Sequence, residues 1–162
     1  MSDPYEETLQ GEVTLRLPPE ARHELICERL YALIKASVAN FPGTQLLEVR
    51  SPVRLDAHTT LRPDIALVTA ANNKLWLAVE VISSHDHQTD TVFKKELYET
   101  AKLPRLWMVD PRYNNVEVYH ASQYGMRMDG ILAGSDLLTE KLLPEFQIAI
   151  KELFANPTPP IA

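Results

Sequence analysis

The sequence predicts an α/β fold in which a mixed central β-sheet is flanked by helices. Its candidate elements follow the order helix, several strands, helix and two strands, which is typical of a mixed sheet with helices packed against it. Residues 75–82 form an almost continuously apolar run, as expected of a strand that is buried on both faces. At 162 residues and 45% hydrophobic content, the chain can bury one proper core.

The first third of the chain predicts a short strand and a long helix. We expect residues 1–10 to be a mobile lead and residues 11–154 to form one domain that opens with an alternating strand at 11–17. Pro18-Pro19-Glu20 is a favourable helix start, because proline is tolerated and an acid is favoured in the first turn. Apolar residues then recur at helical spacing, which predicts a core-facing helix over 20–39 that ends before Phe41-Pro42-Gly43.

The remaining elements are predicted from apolar runs and turn residues. Strands are expected at 45–53, 60–68, 75–82, 105–110 and 116–119, and a helix at 91–102 that Pro104 closes. The polar turn at 71–74 predicts that the second and third of these strands pair as a hairpin. Residues 125–134 are interpreted as a polar bend, residues 143–154 as part strand and part helix, and residues 155–162 as a proline-rich disordered tail.

Composition limits the classes of function. A net charge of −6 argues against binding of nucleic acid through a generally basic surface, although it permits a local basic cleft. The single cysteine, Cys27, cannot form an internal disulfide, which fits a reducing cytoplasm. The acidic start resembles no signal peptide, and no apolar run reaches the roughly 18 residues of a membrane span. We therefore expect a cytoplasmic protein.

Two acids stand in apolar surroundings. Glu80 interrupts the apolar run at 75–82, and Asp64 opens the apolar stretch at 65–68. The predicted hairpin would bring both carboxylates together, and close like charges do not both stay ionised without a cation between them. The pair therefore predicts a metal site for Mg²⁺ or Mn²⁺, which prefer oxygen ligands, and the carbonyl of Val81 could complete the coordination.

The helix after Glu80 offers a cation to this site. Asp90, Lys94 and Tyr98 are spaced by four residues, so they lie along one helical face near its start. Two acids with one lysine suit metal-assisted phosphodiester hydrolysis, in which the ammonium positions water or neutralises charge. The alternatives are that Lys94 is a solvent-facing partner of Asp90, or that Lys95 is the lysine that serves the site.

The order and spacing of four segments resemble the Uma family of restriction endonucleases, within the PD-(D/E)XK nuclease superfamily. These segments are Pro63-Asp64, Glu80-Val81-Ile82-Ser83, Asp90-x3-Lys94-x3-Tyr98 and Leu106-Trp107-Met108-Val109-Asp110-Pro111. The resemblance runs from about residue 11 to residue 154. It implies a restriction-endonuclease-like core in which Asp64 and Glu80 are the metal ligands. The superfamily's usual lysine stands two positions after the glutamate, where this chain has Ile82, and Lys94 matches the place to which the Uma family moves it.

The resemblance also implies accessory residues and a substrate. The superfamily often adds an acid from the first helix, where Glu24 and His23 are candidates, with Asp90 and Tyr98 as further candidates on the second helix. We expect a metal-dependent endonuclease that acts on DNA, with a homodimer as the way to double its basic surface. The alternatives are a non-catalytic binding or regulatory module that keeps the fold, and a nuclease for RNA or for structured or damaged DNA.

Local features give further expectations. Asp64 could instead be a turn aspartate after proline, and Glu80 a buried acid paired with arginine. The motif His85-Asp86-His87 has metal-ligand residue types but is more typical of a solvated loop. A basic rim is expected around the two acids from the cations of the same stretch, namely Arg50, Arg54, Arg62, Lys74, Lys94, Lys95, Lys102 and Arg105.

Overall fold

The computed structural model describes residues 3–83 and 88–157. In chain order its elements are β1 (Tyr5–Leu9), β2 (Glu12–Arg16), α1 (Ala21–Val38), β3 (Thr44–Leu46), β4 (Val53–Asp56), β5 (Thr59–Leu61), β6 (Ile65–Thr69), β7 (Leu75–Val81), α2 (Gln88–Thr100), β8 (Arg105–Asp110), β9 (Asn115–Ser122), β10 (Gly125–Ala133), β11 (Leu137–Glu140), β12 (Leu143–Ala149) and α3 (Ile150–Leu153).

The central sheet has six strands in the order β10-β9-β8-β7-β6-β3. Only β7 and β8 pair in parallel, and α2 forms the connection between them, whereas the other neighbours are antiparallel. The predicted mixed sheet with flanking helices is therefore confirmed. The predicted hairpin is present as the β6–β7 pair, in which Ile65 lies opposite Val79.

One face of the central sheet packs against α1, the small β11–β12 hairpin and α3. The buried side of α1 consists of Ile26, Cys27, Leu30 and Ile34, at the helical spacing that predicted it. Trp107 of β8 is fully buried in the same cluster, with its ring centroid 5.4 Å from that of Phe146 on β12. This face holds the larger of the two apolar clusters.

The other face of the central sheet packs against α2 and a second sheet. That second sheet has the strand order β2-β1-β5-β4 and is antiparallel throughout. Leu9 of β1 and Leu61 of β5 join Leu97 and Tyr98 of α2 in the second apolar cluster. The N-terminal hairpin thus lies against the same side of the central sheet as α2.

Proline divides a segment that the sequence predicted as one strand. Residues 60–68 form two strands, because Pro63 lacks the N–H that a ladder requires and β5 ends at Leu61. The strand β5 belongs to the second sheet and β6 to the central sheet. Asp64 therefore stands where the chain crosses from one sheet into the other.

Three other expectations differ from the structure. Residues 1–10 are not simply a mobile lead, since Tyr5–Leu9 form β1 and pair along their whole length with β2. Most of the strand expected at 45–53 is loop, since only its two ends fall in β3 and β4, which belong to different sheets. Residues 125–133 form the edge strand β10, not a bend, because they pair antiparallel with β9.

The C-terminal region agrees with its mixed assignment, since residues 143–154 contain the strand β12 and the short helix α3. Residues 158–162 of the expected tail lie outside the described residues. Among the described residues, none of the helices combines the length and apolarity that a membrane span requires.

Replacement of Leu77 by alanine should lower the free energy of unfolding by about 2–5 kcal/mol, because this fully buried side chain lies in the middle of the central sheet. Denaturant unfolding would measure the change. Leu142→Ala is the matched control, since Leu142 is 55% exposed and its truncation should shift the unfolding midpoint little. Similar losses for both variants would contradict the core assigned to this sheet.

Candidate active site

Glu80 is a buried carboxylate on the face of β7 that packs against α2. Strand alternation places it between Ala78 and Ile82, which both belong to the apolar cluster of that face. Its Oε1 accepts a hydrogen bond of 2.8 Å from the hydroxyl of Tyr98, and its Oε2 accepts one of 2.9 Å from Nζ of Lys94. Both donors come from α2, one helical turn apart, so the helix holds Glu80 in one orientation.

Ionising the carboxyl group of Glu80 requires more free energy than ionising an exposed carboxyl group. Burial raises its pKa to about 7, the ammonium of Lys94 opposes the rise, and the nearby carboxylates of Glu7 and Asp64 add to it. Burial and the contact with Glu80 also raise the pKa of Tyr98, so its hydroxyl keeps the proton that it donates. The local surroundings of Glu80 therefore favour an additional positive charge.

Asp64 occupies the position before β6, beside the end of β7. Its Oδ2 accepts a hydrogen bond of 2.7 Å from the backbone N–H of Val81, and its Oδ1 accepts one of 3.0 Å from Nε of Arg50. His23 of α1 places its Nε2 3.5 Å from Oδ2. Burial by itself would raise the pKa of Asp64, but His23, Arg50 and the Val81 amide outweigh it and hold the pKa below its ordinary value.

The accessory candidates of α1 surround Asp64. The Arg50 guanidinium also contacts the carboxylate of Glu24, and thereby bridges the two acids. Burial would lower the pKa of His23, but its hydrogen bond to Asp64 raises the value above the ordinary one, and the backbone of Val81 acts in the same direction. His23 and Glu24 therefore lie at the site that the resemblance implies, as a support for Asp64.

Lys94 has a second acidic partner that sequence reasoning missed. Its Nζ lies 3.1 Å and 3.0 Å from the two carboxylate oxygens of Glu7 on β1. Glu7 is 1% exposed, and it also accepts hydrogen bonds of 2.8 Å from Nε of Arg16 and 2.7 Å from the backbone N–H of Arg62. Burial would lower the pKa of Lys94, but Glu80 and Glu7 hold it above its ordinary value, so Lys94 is a buried cation.

A sequence signal for Glu7 did exist. Tyr5, Glu7 and Leu9 alternate with more polar neighbours, as one face of a strand would, and the structure buries Glu7 and Leu9. The acids near the start were instead interpreted as part of a mobile, acidic lead. Arg50 was expected only as one of the cations around the two acids. Its pairing with Asp64 had no sequence signal, because Arg50 lies in a loop, with a positive φ of 57°, and only the fold brings it to Asp64.

The structure distinguishes the two neighbouring lysines. Lys94 points to Glu80, whereas Lys95 places its ammonium over the ring of Tyr119, 4.9 Å from the centroid. Ile82, which stands where the superfamily usually has its lysine, is 8% exposed and packs in the apolar cluster. These positions are the ones expected from the sequence, and the catalytic role of Lys94 stays a prediction.

Glu80 lies on β7 and Asp64 directly precedes the neighbouring strand β6, but each acid has its own set of partners. Asp64 is held by Arg50 and His23 on the α1 side, and Glu80 by Lys94 and Tyr98 on the α2 side. Within residues 3–83 and 88–157, no group of three or more His, Cys, Asp or Glu side chains is arranged to hold a metal ion. The side chain of Asp90 and the motif His85-Asp86-His87 lie outside the described residues.

The donor chemistry of the site still fits a hard divalent cation. Asp64 and Glu80 supply carboxylate oxygens, the Val81 carbonyl belongs to the same strand end, and these are the oxygen types that Mg²⁺ and Mn²⁺ prefer. Because each carboxylate already accepts hydrogen bonds, a cation would have to share their oxygens or replace Arg50 and His23 at Asp64. A cavity of about 20 Å³ beside Glu80, room for about one water, is lined partly by Arg16, Val81 and Lys94.

The expected basic rim is only partly formed. Arg50 and Lys94 are used in buried ion pairs, Arg105 pairs with Glu140, and Lys95 stacks on Tyr119. The cations with exposed side chains are Arg54, Lys74 and Lys102. Arg54 and Lys74 line a groove of about 510 Å³ that also contacts Ala101 and Leu103, just beyond the C-terminal end of α2.

Comparisons with known proteins agree with this fold. No curated protein matches the chain. A crystal structure of "a putative nuclease belonging to DUF820" from Anabaena variabilis is similar, with a TM-score of 0.80 and 17% sequence identity over 95% of this chain and 92% of that chain. At this identity the likeness shows the fold, which is confirmed as restriction-endonuclease-like. The model of the Uma2 family, described as "Putative restriction endonuclease", matches residues 2–151. The chain therefore belongs to the Uma2 family of restriction-endonuclease-type nucleases.

Proposed function

We propose that this chain is a metal-dependent endonuclease that hydrolyses DNA phosphodiester bonds. The observation that carries the proposal is the partly buried contact between Glu80 and Lys94, with Asp64 just before the neighbouring strand β6. In a chain that has Ile82 at the superfamily's usual lysine position, α2 brings a lysine to the glutamate from a different part of the sequence. A buried ion pair costs the desolvation of both charges, and apolar residues of similar volume would often be at least as stable, so the pair favours a functional role for these residues.

Asp64, Glu80 and the carbonyl of Val81 would hold Mg²⁺ or Mn²⁺. When bound, such a cation acts as a Lewis acid on the phosphoryl oxygen and lowers the pKa of a bound water. Tyr98 orients Glu80 through its hydrogen bond of 2.8 Å, and the Val81 amide orients Asp64 through one of 2.7 Å. These fixed contacts preorganise the acids and reduce the rearrangement that ligand binding would require.

In the proposed reaction, Lys94 is the side chain that provides a positive charge beside the two acids. Its ammonium is charged because Glu80 and Glu7 hold its pKa above the ordinary value against the effect of burial. A charged donor fixed beside the metal-binding acids can position the attacking water and stabilise negative charge on the phosphoryl group. Lys95, which stacks on Tyr119, does not reach this position.

DNA would approach along α2. This helix has 13 residues and is therefore about 20 Å long, so the groove at its C-terminal end lies within a few nucleotides of Lys94. Arg54 and Lys74 border that groove with exposed side chains, which suits contacts to backbone phosphates. Because the whole chain has a net charge of −6, its DNA binding would depend on such local cations. A homodimer would double their number.

Removal of either acid should weaken binding of the cation. Isothermal titration of Mn²⁺ into Asp64→Asn and Glu80→Gln should show at least a roughly tenfold loss of affinity, since even removing a group that only orients a metal ligand costs about 10–100-fold. Glu28→Gln is the control, because Glu28 is an exposed acid on α1 and should leave the affinity unchanged. Equal affinity in the wild type and all three variants would reject the metal site.

Replacement of the lysine should affect cleavage while metal binding persists. Lys94→Ala should reduce Mg²⁺-dependent nicking of a supercoiled plasmid by about 10²–10³-fold, the usual cost of removing one preorganised donor. Lys95→Ala is the matched control and should nick at the wild-type rate. Because Lys94 neutralises buried acids, the unfolding midpoint is measured alongside, and rates are compared below the unfolding range.

These assays also separate the competing functions. A wild-type protein that binds Mn²⁺ but nicks no plasmid would support the non-catalytic module. Cleavage of RNA or branched DNA in preference to plasmid would support the third alternative.

Arg54 and Lys74 should contribute to DNA affinity by neutralising phosphates. The double variant Arg54→Ala/Lys74→Ala should bind DNA more weakly at low salt and lower the slope of log affinity against log salt by about 1 for each phosphate that is no longer neutralised. Fluorescence anisotropy with a labelled duplex would measure both quantities. Lys151→Ala, an exposed lysine on α3, should leave the slope unchanged, and an identical slope in the double variant would exclude this groove as the DNA path.

A further inference from the structure

The N-terminal hairpin reaches the proposed catalytic centre through one side chain. Glu7 projects from β1, which belongs to the second sheet, and is buried at 1% exposure. Its carboxylate accepts hydrogen bonds from three separate parts of the chain. The donors are Nε of Arg16 at 2.8 Å, the backbone N–H of Arg62 at 2.7 Å and Nζ of Lys94 at 3.0 Å.

Two of these contacts hold parts of the proposed active site in place. Arg62 stands two residues before Asp64, so the bond to its N–H fastens the segment that carries the first acid. Lys94 approaches both oxygens of Glu7 and one oxygen of Glu80. One carboxylate therefore sets the position of the lysine relative to the loop that carries Asp64.

Glu80 by itself would not hold Lys94 in position during the proposed reaction. In the proposed reaction Glu80 must direct its oxygens to a cation, and an oxygen turned that way is less available to Lys94. Glu7 is not one of the proposed ligands, and its carboxylate accepts hydrogen bonds from Arg16, Arg62 and Lys94. It can therefore keep its charge-assisted bonds to the lysine throughout the reaction.

We propose that Glu7 is a positioning residue of the active site, which holds Lys94 at the acid pair by a buried carboxylate delivered from the N-terminal hairpin. This proposal rests on the proposed nuclease function for its catalytic meaning. The placement of Lys94 can be tested without that function, because it concerns contacts within the chain.

Exposure of the lysine amine is the first test. In metal-free protein, the rate at which acetic anhydride acetylates Lys94 should rise about tenfold in Glu7→Gln, relative to Lys95 as an internal reference, as followed by mass spectrometry of peptides. A tenfold change corresponds to about 1.4 kcal/mol. Glu6→Gln is the matched control, since Glu6 is the adjacent, exposed acid of β1, and its Lys94 should react at the wild-type rate.

Steady-state nicking of plasmid with Mg²⁺ is the second test. Glu7→Gln should lower kcat about tenfold and leave KM within about twofold, because Glu7 contacts the lysine and not the DNA. A fall in stability alone would not produce this split at temperatures where the variant is folded. Should Glu7→Gln fail to fold, Glu7→Asp is compared in its place, since it keeps the charge and withdraws it by one methylene.

The two tests separate the possible failures. An unchanged acetylation rate of Lys94 in the Glu7 variant would overturn the positioning role, whatever the nuclease assay shows. An unchanged kcat in an active protein would overturn it as well. A wild-type protein without nicking activity would count against the proposed function, and the acetylation rates would still decide whether Glu7 holds Lys94.

Discussion

The ammonium of Lys94, buried between Glu7 and Glu80, is the interaction on which the arrangement of this molecule depends. It joins β1, near the start of the chain, to the consecutive elements β7 and α2. Moving an ion out of water costs several kcal/mol, and that cost is offset only when charges pair closely and the remaining donors and acceptors are satisfied. Here each of the two acids accepts further hydrogen bonds, Glu7 from Arg16 and Arg62, and Glu80 from Tyr98. The apolar packing of α2 and β1 on the central sheet thus encloses charges that are paired with one another.

A second charged group, around Asp64, faces α1. Its acids and cations are held together by Arg50, which bridges Asp64 and Glu24, and by His23, which contacts Asp64. The two groups meet at the end of β7, where the Val81 amide binds Asp64 and the preceding residue is Glu80. Hard oxygen donors thus accumulate at one strand end, and their like charges are kept close by cations drawn from both faces of the sheet. Such an arrangement is costly for a structural core and is typical of a functional site.

The arrangement also bears on how an acidic chain of this family can act on DNA. Most of the positive charge near the acids is paired with carboxylates inside the protein. The exposed cations lie near the C-terminal end of α2. In the proposed function, substrate binding and chemistry would fall to different groups of basic residues. Such a separation is compatible with the net charge of −6 in a chain of this family.

The sequence by itself predicted the fold class, the long first helix and the β6–β7 hairpin, and it singled out Asp64, Glu80 and Lys94, whose functional role stays a prediction. Each follows from local information: apolar periodicity, a turn between two strands, or a charge inside an apolar run. Tertiary structure decided what lies around those residues. The place of Glu7 beneath Lys94 and the bridge from Arg50 to Asp64 join residues separated by 87 and 14 positions, and no local pattern reports such pairings. Likewise, only sheet pairing could show that Gly125–Ala133 form an edge strand and that the two parts of the strand divided by Pro63 belong to different sheets. The physical reason is that a strand is stabilised by its neighbours, and a buried charge by partners, that the fold brings from elsewhere in the chain.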